Sequence, residues 1–197
     1  EEKVDKNVIY GMYSGLALLM DVYHPEKPNG YGVIYISGSG WHAPLAYNAR
    51  ALKESGQVQQ YANPLVEAGY VVFAINHRAT PRFNYPAAVK DVQRAVRYIR
   101  FNAKKYAINS KRIGGVGGSS GGHLISMLGV LNGDGNSDDP DPVNQVSAKL
   151  QCIVARAAPT DFVSVAKSGG AATTASFMGM RFPRAAKKVW LNLMTIG

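Results

Sequence analysis

A glycine-rich segment with two adjacent serines contains the residue types best suited to covalent chemistry in this sequence. It reads GGVGGSSGGHL, from Gly114 to Leu124, and lies between two apolar segments. The pattern Gly-x-Ser-x-Gly fits it twice, with Ser119 or with Ser120 at the centre. A serine on a tight turn from a strand to a helix adopts a strained backbone that exposes its hydroxyl, and flanking glycines prevent collisions. The helix N-terminus that follows supplies unpaired N–H groups and a partial positive charge, which suit a developing oxyanion.

A second glycine-rich turn, called the first turn below, comes earlier and reads GSGWHA over residues 38–43. Loops at the carboxyl ends of parallel strands build the site of such a sheet, so both turns are expected at one edge. The first turn also fits a loose dinucleotide-binding pattern, but Pro44 follows in place of a helix and the next strand ends at Asn76 rather than at an acidic residue. No lysine of a phosphate-binding loop follows the serines. The remaining alternative is a glycine-rich helix start that has no chemistry.

The elements around these turns alternate between strands and helices. Apolar and β-branched runs predict strands at residues 31–37, 70–76, 112–118 and 149–158, after an alternating segment at 16–25. Helical periodicity predicts helices at residues 57–68, 86–105 and 120–131. This order implies an α/β fold with a mostly parallel sheet covered by helices on both faces. Since no linker or repeat interrupts it, we expect a single domain over residues 1–197.

Composition and charge exclude several classes of protein. The 197 residues are 46% hydrophobic, and no apolar stretch approaches the roughly twenty residues of a membrane span. The sequence predicts a soluble protein, cytoplasmic or, where a signal peptide has been removed, periplasmic or secreted. The net charge of +9 is compatible with a nucleic-acid partner. However, the helix at 86–105 has an apolar stripe, and its basic residues fall elsewhere on what we interpret as a solvated face: Lys90, Arg94, Arg97 and Lys104. We therefore expect no nucleic-acid binding.

Two further features are interpreted as structural. Cys152 lies in an apolar run typical of a buried strand, where a free thiol behaves as a small hydrophobe. The polar segment NGDGNSDDPDP matches three positions of a calcium-binding loop: Asp134, Asn136 and Asp138. It has Asp139 where the glycine of that loop should be and Gln145 in place of the bidentate glutamate. We therefore predict a solvated loop and no metal site.

These motifs together resemble a known family, the α/β-hydrolase esterases of the hormone-sensitive-lipase and bacterial deacetylase/feruloyl-esterase type. The resemblance extends from about Val8 to Arg181. It rests on LALLMDVYHP, on VIYISGSGW in the place of the family's His-Gly-Gly-Gly-Trp loop, on NHRAT, on the long segment from YPAAVKDV to GGSSGGHL, and on APTDF. The family's elbow, the turn that holds its nucleophile, commonly reads Gly-Gly-Ser-Ala-Gly-Gly-His-Leu.

The resemblance implies roles for the residues of both turns. It makes Ser119 the nucleophile, places Ser120 where the family has alanine, and matches His123 to a non-catalytic histidine. It implies an oxyanion hole made by the backbone N–H groups of Ser39, Gly40 and Ser120. We also expect Trp41 and His42 to border the pocket, although a Trp after such a loop is at least as often a packing residue. Ser37 and Ser39 depart from the family's histidine and glycine. A small-molecule ester is the implied partner, and no cofactor is implied.

The catalytic acid and base of this family follow the nucleophile in the order Asp, then His. The four histidines of this sequence are His24, His42, His77 and His123, and none follows the elbow in that role. Asp161, in APTDF, matches a position that is not the triad acid. We expect a truncated chain that lacks the C-terminal strands of the fold, because the resemblance stops after Arg181.

Two hypotheses follow from this pattern. The chain represents a serine carboxylesterase or acetylesterase, active when complete on small acyl or aryl esters or acetylated sugars. Alternatively, it is a non-catalytic relic or binding module of the same fold, because the triad Asp and His are missing. A peptidase of this fold is a lesser alternative.

Overall fold

A six-stranded mixed sheet forms the centre of the structure, a computed structural model that describes residues 3–180. The strands are β1 (Lys3–Tyr13), β2 (Leu16–His24), β3 (Gly32–Ile36), β4 (Val71–Ile75), β5 (Ile113–Gly118) and β6 (Cys152–Arg156). They lie in the order β1-β2-β4-β3-β5-β6. The strands β4, β3, β5 and β6 are parallel, whereas β1 and β2 form an antiparallel hairpin that joins β4. The predicted α/β fold with a mostly parallel sheet is confirmed, with an antiparallel hairpin at one edge.

Helices cover both faces of this sheet, as the sequence predicts. They are α1 (Gly56–Glu67), α2 (Ala87–Phe101), α3 (Ser120–Val130), α4 (Phe162–Val165) and α5 (Ala171–Met178). The buried side chains of α1 pack on one face of the sheet, and those of α2 and α3 pack on the other. All five residues of β3 and of β4 are buried for this reason. Within residues 3–180, no helix has the length and apolar character to cross a membrane.

The helix predicted at 86–105 ends earlier, at Phe101. Asn102 caps it, and its side-chain amide donates a hydrogen bond to the backbone oxygen of Tyr98. Turns follow, and Ala107 has a φ of 53° where the chain reverses towards β5. Ala103 is buried in these turns rather than in the helix, so its place in the apolar periodicity extended the prediction too far.

The prediction that Cys152 is buried is wrong. Every residue of β6 is exposed, including Ile153 and Val154 at 38% and 52%. Within the described residues β6 pairs only with β5 and lies at the edge of the sheet. An apolar run is typical of a strand covered on both sides, but the run alone does not show how many neighbours the strand has.

The prediction of a solvated basic face on α2 is wrong for two of its residues. Arg94 is half-buried and forms an ion pair with Asp141 at 2.8 Å. Arg97 donates hydrogen bonds to the backbone oxygens of Val146, at 3.1 Å, and Asp134, at 3.0 Å. Lys90 and Lys104, by contrast, are exposed as predicted. The guanidinium groups of α2 therefore hold the polar segment after α3 against the helix instead of presenting a free basic surface.

That polar segment is stabilised by local hydrogen bonds. The side-chain oxygen of Asn132 accepts from the N–H of Asp134, and that of Asn136 accepts from the N–H of Asp138. Across residues 3–180, no cluster of three or more His, Cys, Asp or Glu side chains has the arrangement to bind a metal ion.

Candidate active site

Ser119 lies at the apex of the turn between β5 and α3. Its backbone has φ 52° and ψ −125°, a conformation that costs a non-glycine residue on the order of 1–3 kcal/mol. Its N–H donates to the backbone oxygen of Arg156 on β6 at 2.8 Å, which fixes the turn to the neighbouring strand. The residue is exposed, and within the described part of the chain its hydroxyl makes no hydrogen bond. The turn therefore presents a free hydroxyl at the N-terminus of α3.

Glycines make this turn possible because backbone approaches backbone on both sides of it. A Cβ at Gly121 would lie 2.1 Å from the backbone oxygen of Ile36 on β3. One at Gly117 would lie 2.5 Å from the oxygen of Gly121. Gly38 in the first turn is also close, since its Cβ would lie 2.8 Å from the backbone oxygen of Gly118 and 3.0 Å from Cβ of Ser119. The two glycine-rich turns that the sequence singled out therefore meet at Ser119.

The first turn is connected to α3 by a hydrogen bond that the sequence does not predict. The N–H of Ser39 donates to Oγ of Ser120 at 2.9 Å, and Ser120 is only 1% exposed. The Ser39 N–H, one of the three expected oxyanion donors, is therefore occupied in this conformation. The N–H groups of Gly40 and Ser120, the other two, make no backbone hydrogen bond with any described residue.

Trp41 is buried in an aromatic cluster. Its indole is 2% exposed, stacks on Phe177 with ring centroids 4.5 Å apart, and donates from Nε1 to Nδ1 of His123 at 3.3 Å. Burial lowers the pKa of His123, so the neutral imidazole accepts this hydrogen bond. The Trp41 side chain fills the core beneath the first turn, which agrees with the packing alternative. His123 has a packing role.

A pocket of about 560 Å³ opens beside the first turn, between the loops that follow β3 and β4. It is lined by residues 43–47, residues 77–79, Leu16, Arg82 and Phe83. His42 is exposed and pairs with Thr80 through a single bridge, and it is not among the residues that line this pocket. The structure therefore brings the loop after β4 to the site region, which the sequence analysis did not include.

His77, at the wall of this pocket, is a further residue that sequence reasoning missed. It is 6% exposed, and its Nδ1 donates to the backbone oxygen of Arg78 at 3.0 Å. Its Nε2 is left as an acceptor with no partner among the described residues. Burial lowers the pKa of this imidazole. His77 is therefore neutral near pH 7. It is no general base for Ser119, because it makes no hydrogen bond to Ser119 in the described structure.

The segment that contains the first turn is anchored at both ends by buried polar groups. Oγ of Ser37 and Oγ of Ser55 are 2.7 Å apart. Nζ of Lys53, 1% exposed, lies 2.9 Å from a carboxylate oxygen of Asp21 on β2 and 2.9 Å from one of Glu54. Burial acts to lower the pKa of Lys53, but its hydrogen bonds to the two carboxylates outweigh this, so the pKa lies above its usual value. The first turn thus belongs to a segment whose two ends are fixed by buried polar contacts.

Asp161, the last acidic residue of the sequence, caps a helix. Its carboxylate accepts hydrogen bonds from the N–H groups of Val163 and Ser164 at the start of α4. Hydrogen bonds from the hydroxyl and the N–H of Ser164 lower its pKa. It makes no hydrogen bond to a histidine within the described residues.

Comparison with known proteins shows that this chain is similar to proteins named as ester hydrolases. A model of the BD-FAE family matches residues 20–192. The probable carboxylic ester hydrolase LipM of Mycobacterium tuberculosis is 30% identical over 134 residues, which are 66% of this chain and 29% of LipM. An acetylxylan esterase of Xylanibacter ruminicola is 28% identical over 113 residues, which are 57% of this chain and 22% of that enzyme.

Two solved structures resemble the fold closely. An acetyl ester-xyloside bifunctional hydrolase from Caldicellulosiruptor lactoaceticus has a TM-score of 0.70 and 26% identity, covering 95% of this chain and 68% of that one. A truncated carbohydrate esterase from gut microbiota has a TM-score of 0.72 and 29% identity, covering 98% and 70%. The chain therefore spans less than a third of these two curated relatives and about two thirds of these solved chains.

Proposed function

Because this chain belongs to the BD-FAE family, we propose that the protein carrying it is a serine carboxylic-ester hydrolase with Ser119 as its nucleophile. The strained backbone of Ser119, at the start of α3 and against Gly38 of the first turn, is the observation that carries this proposal. A helix N-terminus with an exposed hydroxyl at its apex is suited to attack on a carbonyl and to holding the resulting negative charge.

The proposed reaction forms and then hydrolyses an acyl-enzyme. Oγ of Ser119 gives its proton to a general base and bonds to the ester carbonyl carbon, and the carbonyl oxygen becomes an oxyanion. The unpartnered N–H groups of Gly40 and Ser120 are the donors available to it in this conformation. The tetrahedral intermediate then releases the alcohol, which takes up a proton, and water cleaves the acyl-serine bond. The described residues provide the nucleophile and the oxyanion donors for these steps, whereas no histidine among residues 3–180 is hydrogen-bonded to Ser119 to carry the proton.

Small acyl esters of carbohydrates are the substrates we assign to this site. The support comes from similar proteins, one named as an acetylxylan esterase and one as an acetyl ester-xyloside hydrolase.

The test is hydrolysis of p-nitrophenyl acetate and of acetylated xylan by the protein that carries this chain. Ser119→Ala should lower kcat/KM by about 10³-fold or more, since it removes the nucleophile. Ser126→Ala is the matched control, because its hydroxyl lies on the same helix and donates only to the backbone oxygen of Gly122. Unchanged hydrolysis in Ser119→Ala rejects the proposal.

A non-catalytic binding module is the second candidate. It is favoured by one observation: among residues 3–180 no histidine is hydrogen-bonded to Ser119, and His77 and His123 are both buried. A fluorophosphonate probe separates the two candidates. Stoichiometric labelling that disappears in Ser119→Ala supports the hydrolase, whereas no labelling together with saturable binding of xylan oligosaccharides supports the module.

A further inference from the structure

The hydrogen bond between the two turns uses a side chain that this sequence has in place of the family's usual alanine. Oγ of Ser120 is buried and accepts the N–H of Ser39 at 2.9 Å. An alanine at position 120 would offer no acceptor there. The hydroxyl therefore changes which backbone donors are free at the site.

The position of this bond relates it directly to Ser119. Ser120 follows the nucleophile and is itself expected to give an N–H to the oxyanion. Ser39 follows Gly38, whose Cβ would lie within 3.0 Å of Cβ of Ser119. A backbone N–H has one hydrogen and makes one strong hydrogen bond, so the Ser39 N–H serves either Ser120 or an oxyanion, not both at full strength.

We propose that Ser120 is a positioning residue whose hydroxyl occupies the Ser39 N–H, so that the site works with the donors of Gly40 and Ser120 alone. The inference rests on the proposed function. One oxyanion donor contributes about 10²–10³-fold to kcat in a well-studied hydrolase. Ser120 thus reduces stabilisation of a tetrahedral oxyanion. The neutral ester, whose carbonyl carries little charge, binds nearly as well when the Ser120 hydroxyl is present as when it is absent.

The first experiment measures the hydrogen bond itself in the full chain. Ser120→Ala removes the acceptor, and Ser126→Ala removes a hydroxyl from the same helix without touching the first turn. We expect hydrogen exchange of the Ser39 amide, followed by NMR, to become at least tenfold faster in Ser120→Ala and to stay unchanged in Ser126→Ala. Equal exchange in the two variants would overturn the inference.

The second experiment measures the consequence for a tetrahedral oxyanion. Phenylboronic acid forms an O–B bond with a serine, the hydroxyl proton passes to solvent, and the boron becomes a tetrahedral anion. Because solvent accepts the proton, this binding requires no histidine. We expect its Kd to be about tenfold lower for Ser120→Ala than for Ser126→Ala or the unaltered chain, and we expect no binding to Ser119→Ala. A merely structural hydrogen bond would not tighten this complex when removed.

The outcomes separate the inference from the proposed function. If phenylboronic acid binds through Ser119 but equally or more weakly to Ser120→Ala, the role of Ser120 is wrong and the nucleophile stands. If it binds to none of the variants, or equally to Ser119→Ala, the nucleophile assignment fails and the inference falls with it.

Discussion

The conformation of Ser119 is maintained by the backbone packed around it. Its N–H is bound to the oxygen of Arg156 on one side, and Gly121 lies against Ile36 on the other. The cost of a positive φ at a serine is therefore offset by close contacts that a larger residue at the neighbouring positions would prevent. This arrangement makes the glycines of the turn as necessary as the serine.

Gly121→Ala should destabilise the protein strongly. The new Cβ would lie 2.1 Å from the backbone oxygen of Ile36, and neither α3 nor β3 can move away without disturbing the core. We expect a loss of more than about 3 kcal/mol in the free energy of unfolding, measured by urea denaturation, or no soluble protein at all.

Gly129→Ala is the matched control on the same helix. Its Cβ would meet only the flexible end of the Ile153 side chain, at 2.9 Å. Since alanine is the better helix former, we expect a change between zero and about 1 kcal/mol of stabilisation. Similar losses in both variants would contradict the close-contact explanation.

Part of this site is predictable from residue types, and part of it is not. The strained serine follows from a glycine pattern placed between a strand and a helix, because only glycine fits where backbones touch. The bond from Ser39 to Ser120 does not follow, because a serine in a sequence does not reveal which N–H its oxygen accepts. Trp41 illustrates the same limit: the sequence shows that it lies in the first turn, but its burial depends on Phe177, which lies far along the chain.

The segment that joins β3 to α1 is the element that brings the first turn to Ser119. It is tied down by Lys53, whose ammonium lies 2.9 Å from the buried carboxylate of Asp21 on β2. The N–H of Lys53 also donates to Oδ1 of Asn76, at the end of β4. One residue therefore connects this segment to two strands of the sheet.

Lys53→Met should destabilise the protein by about 3–5 kcal/mol, because it leaves the carboxylate of Asp21 buried and unpaired. Asp21→Asn keeps an acceptor for the N–H of Asn7, so the double variant Lys53→Met/Asp21→Asn should recover much of that loss. The free energies of unfolding of the two single variants and the double variant form a cycle that measures the coupling. Additive losses would show that the ion pair does not stabilise this segment.

The elements themselves follow well from local pattern, with exceptions that local pattern does not contain. The predicted strands at β3, β4 and β5 and the helices α1 and α3 agree with the structure to within a residue or two at each end. The exposure of β6 depends on which strands and helices lie beside it. The hydrogen bonds of Arg94 and Arg97 depend on a polar segment about 40 to 50 residues away.

At the scale of the whole molecule, the order of the sheet brings the separate loops together. The parallel strands β4, β3 and β5 are neighbours, so their carboxyl ends place the loop after β4, the first turn and Ser119 along one edge. The sequence predicts parallel strands but not this order, because the order depends on the face of the sheet on which each crossover helix packs. Two histidines, His77 and His123, become buried as a result of this assembly.

The burial of these two histidines predicts how stability depends on pH. Burial lowers the pKa of both His77 and His123 below the usual value of 6.5. In the unfolded chain they take up protons near pH 6.5, whereas in the folded chain they do so only at lower pH, so the unfolded state binds more protons between these limits. Stability is therefore fully present above about pH 6.5 and falls as the pH drops below it, by at most about 1.4 kcal/mol per pH unit for each histidine.

Urea denaturation between pH 8.0 and pH 5.5 measures this dependence in a range above the ordinary titration of carboxylates. The double variant His77→Asn/His123→Asn is the control, because an asparagine amide can replace Nδ1 as donor to the oxygen of Arg78 and as acceptor from Trp41. It should be less stable than the unaltered chain at pH 8 but should lose most of the slope below pH 6.5. If the slope of the unfolding free energy against pH persists in the double variant, the effect comes from other groups. A flat profile in the unaltered chain would show that neither imidazole is held neutral by its burial.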